Sequence, residues 1–135
     1  MLDERVLTIS GEADIVTARQ AARQFAAALG FNAMDQSRIT TAVSELARNV
    51  VRYATNSHGV VHVRETEAGG RIGIEIVVAD EGPGIADTEQ AMRRGFSSGN
   101  GLGLGLSGTG RLMDEMDMKS APGEGTCVTI RKWRR

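Results

Sequence analysis

The chain has 135 residues, 41% hydrophobic and 24% charged, with 17 Gly, 2 Pro, 1 Cys and only 4% aromatics. One compact domain over residues 1–135 is expected, long enough to bury about two-thirds of its unfolded surface, and a single Cys excludes an internal disulfide and fits a reducing cytosol. Sixteen Lys+Arg against seventeen Asp+Glu leave −1, too balanced for an electrostatic grip on nucleic acid or an anionic membrane. No apolar run approaches the roughly 18 residues of a membrane span. Met1-Leu2-Asp3-Glu4-Arg5 lacks the basic start and apolar core of a signal peptide. The expected setting is cytoplasmic, with neither nucleic acid nor membrane as partner.

Val6-Leu7-Thr8-Ile9 reads as a short strand. From Glu12 to Leu29 the apolar positions Ile15, Ala18, Ala22, Phe25, Ala26 and Leu29 keep helical spacing, and Gly30 stops that helix as a left-handed cap. A second helix is predicted from Asp35 to Ala54, with Ile39, Ala42, Val43, Leu46, Ala47 and Val50 as its core stripe. Two strands, Val60 to Thr66 and Arg71 to Val78, meet at Ala68-Gly69-Gly70 as a hairpin. Asp80-Glu81-Gly82-Pro83-Gly84 is a loop, and a short helix is expected near Thr88–Arg94. Seven of the seventeen glycines then fall between Gly95 and Gly110, which marks a special loop. A helix over Ser107–Met116 and strands around Asp117–Ser120 and Gly125–Lys132 follow. Cys127, within an apolar run, is expected to be buried. The basic end Arg131-Lys132-Trp133-Arg134-Arg135 reads as a solvated tail or partner contact. Helices in one block and most strands in another predict an α+β, two-layer sandwich, with helices on one face of a mainly antiparallel sheet.

Three groups of residues carry chemistry. Glu45 and Asn49 lie one helical turn apart on the shoulder of the apolar stripe, roughly a quarter turn from its centre, with Arg48 and Arg52 further towards solvent. There an Asn oxygen can ligate a hard cation and a Glu can take a proton; an ordinary polar rim is the simpler alternative. Asp80-Glu81-Gly82-Pro83-Gly84-Ile85 follows the strand Ile74–Ala79, where a carboxylate can be held rigidly and glycines let a flat ligand approach; a tight turn would look the same. Gly101-Leu102-Gly103-Leu104-Gly105-Leu106-Ser107-Gly108 runs towards a helix, and freed amides beside a helix N-terminus suit an anion. Gly103-x-Gly105-x-x-Gly108 matches a dinucleotide fingerprint in letters only, since no hydrophobic strand precedes it and no acid ends a second strand about twenty residues on. No Gly-Lys-Ser/Thr of a Walker loop occurs. His58 and His62 read as surface polar residues.

Glu-x-x-x-Asn on a helix, Asp-x-Gly-x-Gly after a strand, Gly-x-Gly-x-Gly before a helix and Gly125-Thr126 entering a last strand resemble, in this order, the GHKL ATPases with their Bergerat fold. Asp14-Ile15-Val16, Ala18-Arg19-Gln20, Asp35-Gln36, Arg38-Ile39-Thr40-Thr41-Ala42, Gly95-Phe96-Ser97 and Arg111-Leu112-Met113-Asp114-Glu115 look like the RsbT-type switch kinases of that superfamily, over essentially the whole chain.

The resemblance implies a protein serine/threonine kinase that uses ATP and Mg²⁺. It implies that Asn49 completes Mg²⁺ coordination and that Glu45 acts as general base or orients the attacking group. Asp80 would accept from the adenine amino group, Gly82 and Gly84 would line the base pocket, and Gly101, Gly103 and Gly105 would fold over the phosphates. Thr126 matches the Thr that reaches adenine, often through water. The implied partners are STAS-domain stressosome proteins as substrates and a PP2C-type phosphatase activated by partner switching. Two alternatives remain: an anti-sigma factor kinase that binds a sigma factor directly, and a non-catalytic nucleotide or partner-binding module. A histidine kinase would need its own phosphoacceptor helices.

Overall fold

A computed structural model describes residues 3–53, 58–80, 108–120 and 125–135. In chain order it contains β1 (Arg5–Ile9), α1 (Glu12–Ala28), α2 (Ala33–Tyr53), β2 (Gly59–Ala68), β3 (Arg71–Asp80), β4 (Glu115–Ser120) and β5 (Thr126–Trp133). Residues 108–112 are helical as well. The loop glycines Gly82, Gly84, Gly101, Gly103 and Gly105 and the expected helix at Thr88–Arg94 lie outside the described residues.

Gly30, at φ +90°, caps α1. The amide of Gly30 reaches the Ala27 carbonyl and that of Phe31 the Ala26 carbonyl, the paired bonds of a Schellman turn. Three residues later the chain is helical again, because Asn32 accepts the Asp35 amide at 2.8 Å and so supplies the N-cap of α2. That cap starts α2 at Ala33, two residues before the predicted Asp35.

The sheet has the order β1-β2-β3-β5-β4, and every pairing is antiparallel. Gly69 and Gly70, at φ +58° and +78°, make the two-residue turn between β2 and β3. Alternation sorts the sheet into two faces. Ile9, Val61, Val63, Ile74, Ile76, Val78, Val128 and Ile130 share one buried core with Ile15, Phe25, Ile39, Val43, Leu46 and Val50 of the helices. The two-layer α+β sandwich expected from the sequence is the observed architecture.

The opposite face carries a row of alternating charges across four strands. Arg64 of β2, Glu75 of β3, Arg131 of β5 and Glu115 of β4 are successive register partners. Arg64 pairs with Glu75, Arg131 Nε donates to Glu75 at 2.6 Å and Arg131 Nη1 to Glu115 at 3.2 Å. Although it lies away from the helices, the Glu75 side chain is only 4% exposed, roofed by the two arginines.

Three expectations need correction. The helix placed over Ser107–Met116 stops at 112, because Lys132 Nζ donates to the Leu112 carbonyl at 2.8 Å and the Asp114 amide to the Arg131 carbonyl at 2.9 Å. Those bonds pull the chain into the sheet, so β4 begins at Glu115. Cys127 is half-buried rather than buried, since Val128 and Ile130 take the core side of β5 and alternation turns Cys127 outward. The basic end is no solvated tail. Trp133 is buried against Gly73, and Arg134 Nη1 donates to the Leu29 carbonyl at the end of α1 at 2.9 Å.

Candidate functional site

The stripe of α2 rotates Glu45 and Asn49 to the edge of the helix–sheet interface, where both are half-buried. Glu45 Oε1 accepts from Arg48 Nη1 at 2.6 Å. Arg48 is therefore drawn in beside Glu45 rather than left in solvent, at the i,i+3 spacing that lets such side chains meet. Asn49 differs. Its Nδ2 is buried and has no hydrogen-bond partner among the described residues. A buried amide without a partner calls for an explanation. A half-turn of the carboxamide would present its oxygen at the same point, which fits a hard cation that takes oxygen ligands.

Asp80 ends β3 and Thr126 begins β5, and the two are register partners. Across the other edge of β3, Asp80 is paired with Gly59 of β2. Gly59 has no side chain, and a methyl there would lie 2.8 Å from Val50 Cγ1. That gap lets α2 settle at Val50 on the strand ends, and Asn49 is the preceding residue. The Glu45–Asn49 turn and the Asp80–Thr126 pair are thus brought to the same end of the sandwich.

A cavity of about 490 Å³ opens at this end, lined by Ala79, Asp80, Lys119, Ser120, Thr126 and Cys127 among others. Ser120 Oγ donates to the Gly125 carbonyl at 2.8 Å and lies 2.9 Å from Thr126 Oγ1. Lys119, Ser120 and Cys127 escaped sequence reasoning. For Ser120 a signal existed, in two hydroxyl residues, Ser120 and Thr126, that stand close in sequence and face each other across β4 and β5. Among the described residues no group of three or more His, Cys, Asp or Glu side chains could hold a metal on its own. His58 is exposed, and His62 Nδ1 lies 3.6 Å from a Glu4 carboxylate oxygen, so both are surface groups as read. No helix of the described residues is long and apolar enough to cross a membrane.

Residues 10–132 match the model of the histidine kinase-like ATPase domain. The serine/threonine-protein kinase RsbT of Bacillus subtilis is 47% identical over 135 residues, which is 100% of both chains. An anti-sigma F factor of Thermoanaerobacter is 34% identical over 120 residues, 86% of this chain and 82% of that one. Among solved structures, the RsbU and RsbW domains of a Mycobacterium tuberculosis protein superpose with a TM-score of 0.65 at 20% identity, covering 99% of this chain and 33% of that one. The last likeness is one of fold. The cavity beside the strand-end carboxylate of Asp80 opens at the end of the sandwich where α2 carries Glu45 and Asn49. The chain belongs to the histidine kinase-like ATPase family, on the branch of the RsbT-type serine/threonine-protein kinases.

Proposed function

We propose that residues 1–135 act as one kinase unit in the cytoplasm, transferring the γ-phosphoryl group of Mg-ATP to a Ser or Thr of a STAS-domain stressosome protein, and then switch partners to activate a PP2C-type phosphatase. The observation that carries this reading is that the Asp80–Thr126 pair, in the wall of the cavity, and the Glu45–Asn49 turn lie at the same end of the sandwich. Asp80 accepts from the adenine amino group and Thr126 stands beside it. Gly82 and Gly84 flank the base, and the amides of Gly101, Gly103 and Gly105 close over the phosphates. Glu45 takes the proton of the attacking hydroxyl or aims that hydroxyl at phosphorus. Mg²⁺, held by Asn49, would supply charge neutralisation to a transfer that depends mainly on positioning and electrostatics.

The full-length likeness to RsbT supports this reading over its rival. An anti-sigma factor kinase remains the second reading, supported by 34% identity to an anti-sigma F factor. Incubation with Mg-ATP and a STAS protein, followed by phosphosite mapping, tests the first. Transfer to Ser or Thr is expected, together with capture of a PP2C-type phosphatase and no capture of a sigma factor. Stable capture of a sigma factor by the purified chain would reverse the choice.

A further inference from the structure

We infer that Ser120 is a positioning residue for base selection, which makes Thr126 an obligate hydrogen-bond acceptor towards the nucleobase; this rests on the adenine reading of Asp80 and Thr126. Ser120, Thr126 and Asp80 are consecutive partners across β4, β5 and β3, and all three line the cavity. A serine hydroxyl has one proton. Ser120 commits it to the Gly125 carbonyl at 2.8 Å, an oxygen that can only accept. In the 2.9 Å contact between the two hydroxyls, Thr126 must then be the donor. Its own proton is spent on Ser120, and lone pairs are what Thr126 Oγ1 has left for a ligand.

The cavity mouth therefore presents two acceptors side by side, the Asp80 carboxylate and Thr126 Oγ1. An amino edge, alone or with a bound water, satisfies both. A keto edge brings a third acceptor against them. Asp80 alone would reject a keto base by repulsion, but a freely turning Thr126 hydroxyl could offset that by donating. Ser120 removes this escape, and selectivity for the amino base follows from a residue two strands away from the base-reading carboxylate.

The experiment measures calorimetric Kd values for ATP and ITP, whose bases differ at this edge, on the parent, Ser120→Ala, Ser120→Thr and the double variant Ser120→Ala/Thr126→Val. The read quantity is the ITP-to-ATP Kd ratio, which a loss of folded fraction does not move because it scales both titrations alike. In Ser120→Ala the ratio is expected to fall roughly three- to tenfold, the worth of one regained hydrogen bond. Ser120→Thr keeps the donor and should hold the parent ratio, and the double variant should restore it by removing the freed hydroxyl. A parent that discriminates while Ser120→Ala leaves the ratio unchanged overturns the role of Ser120 and spares the adenine reading. A parent that binds ATP and ITP equally overturns the adenine reading and the role of Ser120 with it.

Discussion

Replacing Gly59 by alanine would set a methyl carbon 2.7 Å from the Ala79 carbonyl oxygen and 2.8 and 3.1 Å from the two methyls of Val50. Carbon contacts are comfortable at about 3.5–4.0 Å, so something must move by most of an ångström. The carbonyl is fixed in the β2–β3 ladder, and Val50 is buried in the core at 1% exposure. Neither yields cheaply, which puts the cost in the upper half of the overpacking range, about 2–3 kcal/mol. For a domain of this size that is a drop of about 6–12 °C in Tm. The same shift displaces either Asn49, beside Val50, or Asp80, opposite Gly59. ATP affinity should therefore fall roughly tenfold, or about 1.4 kcal/mol. Gly69→Ala is the control. Its methyl meets nothing, but its φ of +58° disfavours a side chain, so it should lose stability and keep ATP affinity. Melting and calorimetry on both variants decide the matter. A Gly59→Ala protein that melts and binds ATP like the parent would refute the placement of α2 against the strand ends.

Further expectations concern the site and the charge ladder. Glu45→Gln keeps its shape at the half-buried rim of α2, outside the core stripe, so ATP binding and Tm should persist while phosphate transfer falls about 10²–10⁴-fold; near-normal transfer would leave Glu45 only an orienting role. Asn49→Ala should weaken nucleotide binding in Mg²⁺ and much less in chelator, which paired titrations with and without chelator would read; equal losses in both would remove the cation from its role. If Asp80 reads an amino group, ATP should bind about 5- to 150-fold better than GTP, the equivalent of an opposed buried polar contact at about 1–3 kcal/mol, and equal affinities in calorimetry would end that assignment. Burial pushes the Glu75 carboxyl up, but hydrogen bonds and charge from Arg131 and Arg64 outweigh it and hold the group below its ordinary 4.5. A depressed folded value means that the stabilisation is complete above the ordinary value and lost as pH falls below 4.5 towards the folded one. Glu75→Gln should cost about 2 kcal/mol at neutral pH, discounted for the exposure of Arg64. Acid melts of the variant should show a shallower decline, and identical acid limbs would count against the ladder.

Local rules carried most of the architecture because the elements here obey them. Gly30 with Leu29 before it specifies a helix stop, the stripe from Ile39 to Val50 a buried helical face, and Gly69-Gly70 a tight hairpin turn. The same stripe put Glu45 and Asn49 at its shoulder, and a buried unpaired amide was found there. What escaped depends on partners distant in sequence. Lys132, a charged residue in a strand, is buried because Leu112, Asp35 and Asp114 surround its ammonium. No window around 132 contains that information. Trp133 is buried on the charged face because Gly73, sixty residues earlier, leaves room for its ring. Cys127 sits in an apolar run, yet its outward direction follows from the register that points Val128 inward. The place of Ser120 in the cavity required knowing which hydroxyl faces it across the β4–β5 pair.

The position of β5 has a consequence for biosynthesis. It is the last strand in chain order, yet it occupies an interior place in the sheet, between β3 and β4. While the ribosome is still making it, β3 presents an unpaired edge whose sequence, Ile74-Glu75-Ile76-Val77-Val78, is rich in β-branched residues. Glu75 then lacks Arg131, and β4 has nothing to pair with. Exposed edges of this kind are templates for pairing with other chains, and long-range closure of this kind is slow. Nascent chains ending before Thr126 should therefore be the species most dependent on chaperones, and the strand that completes the wall of the cavity is also the one that ends the hazard.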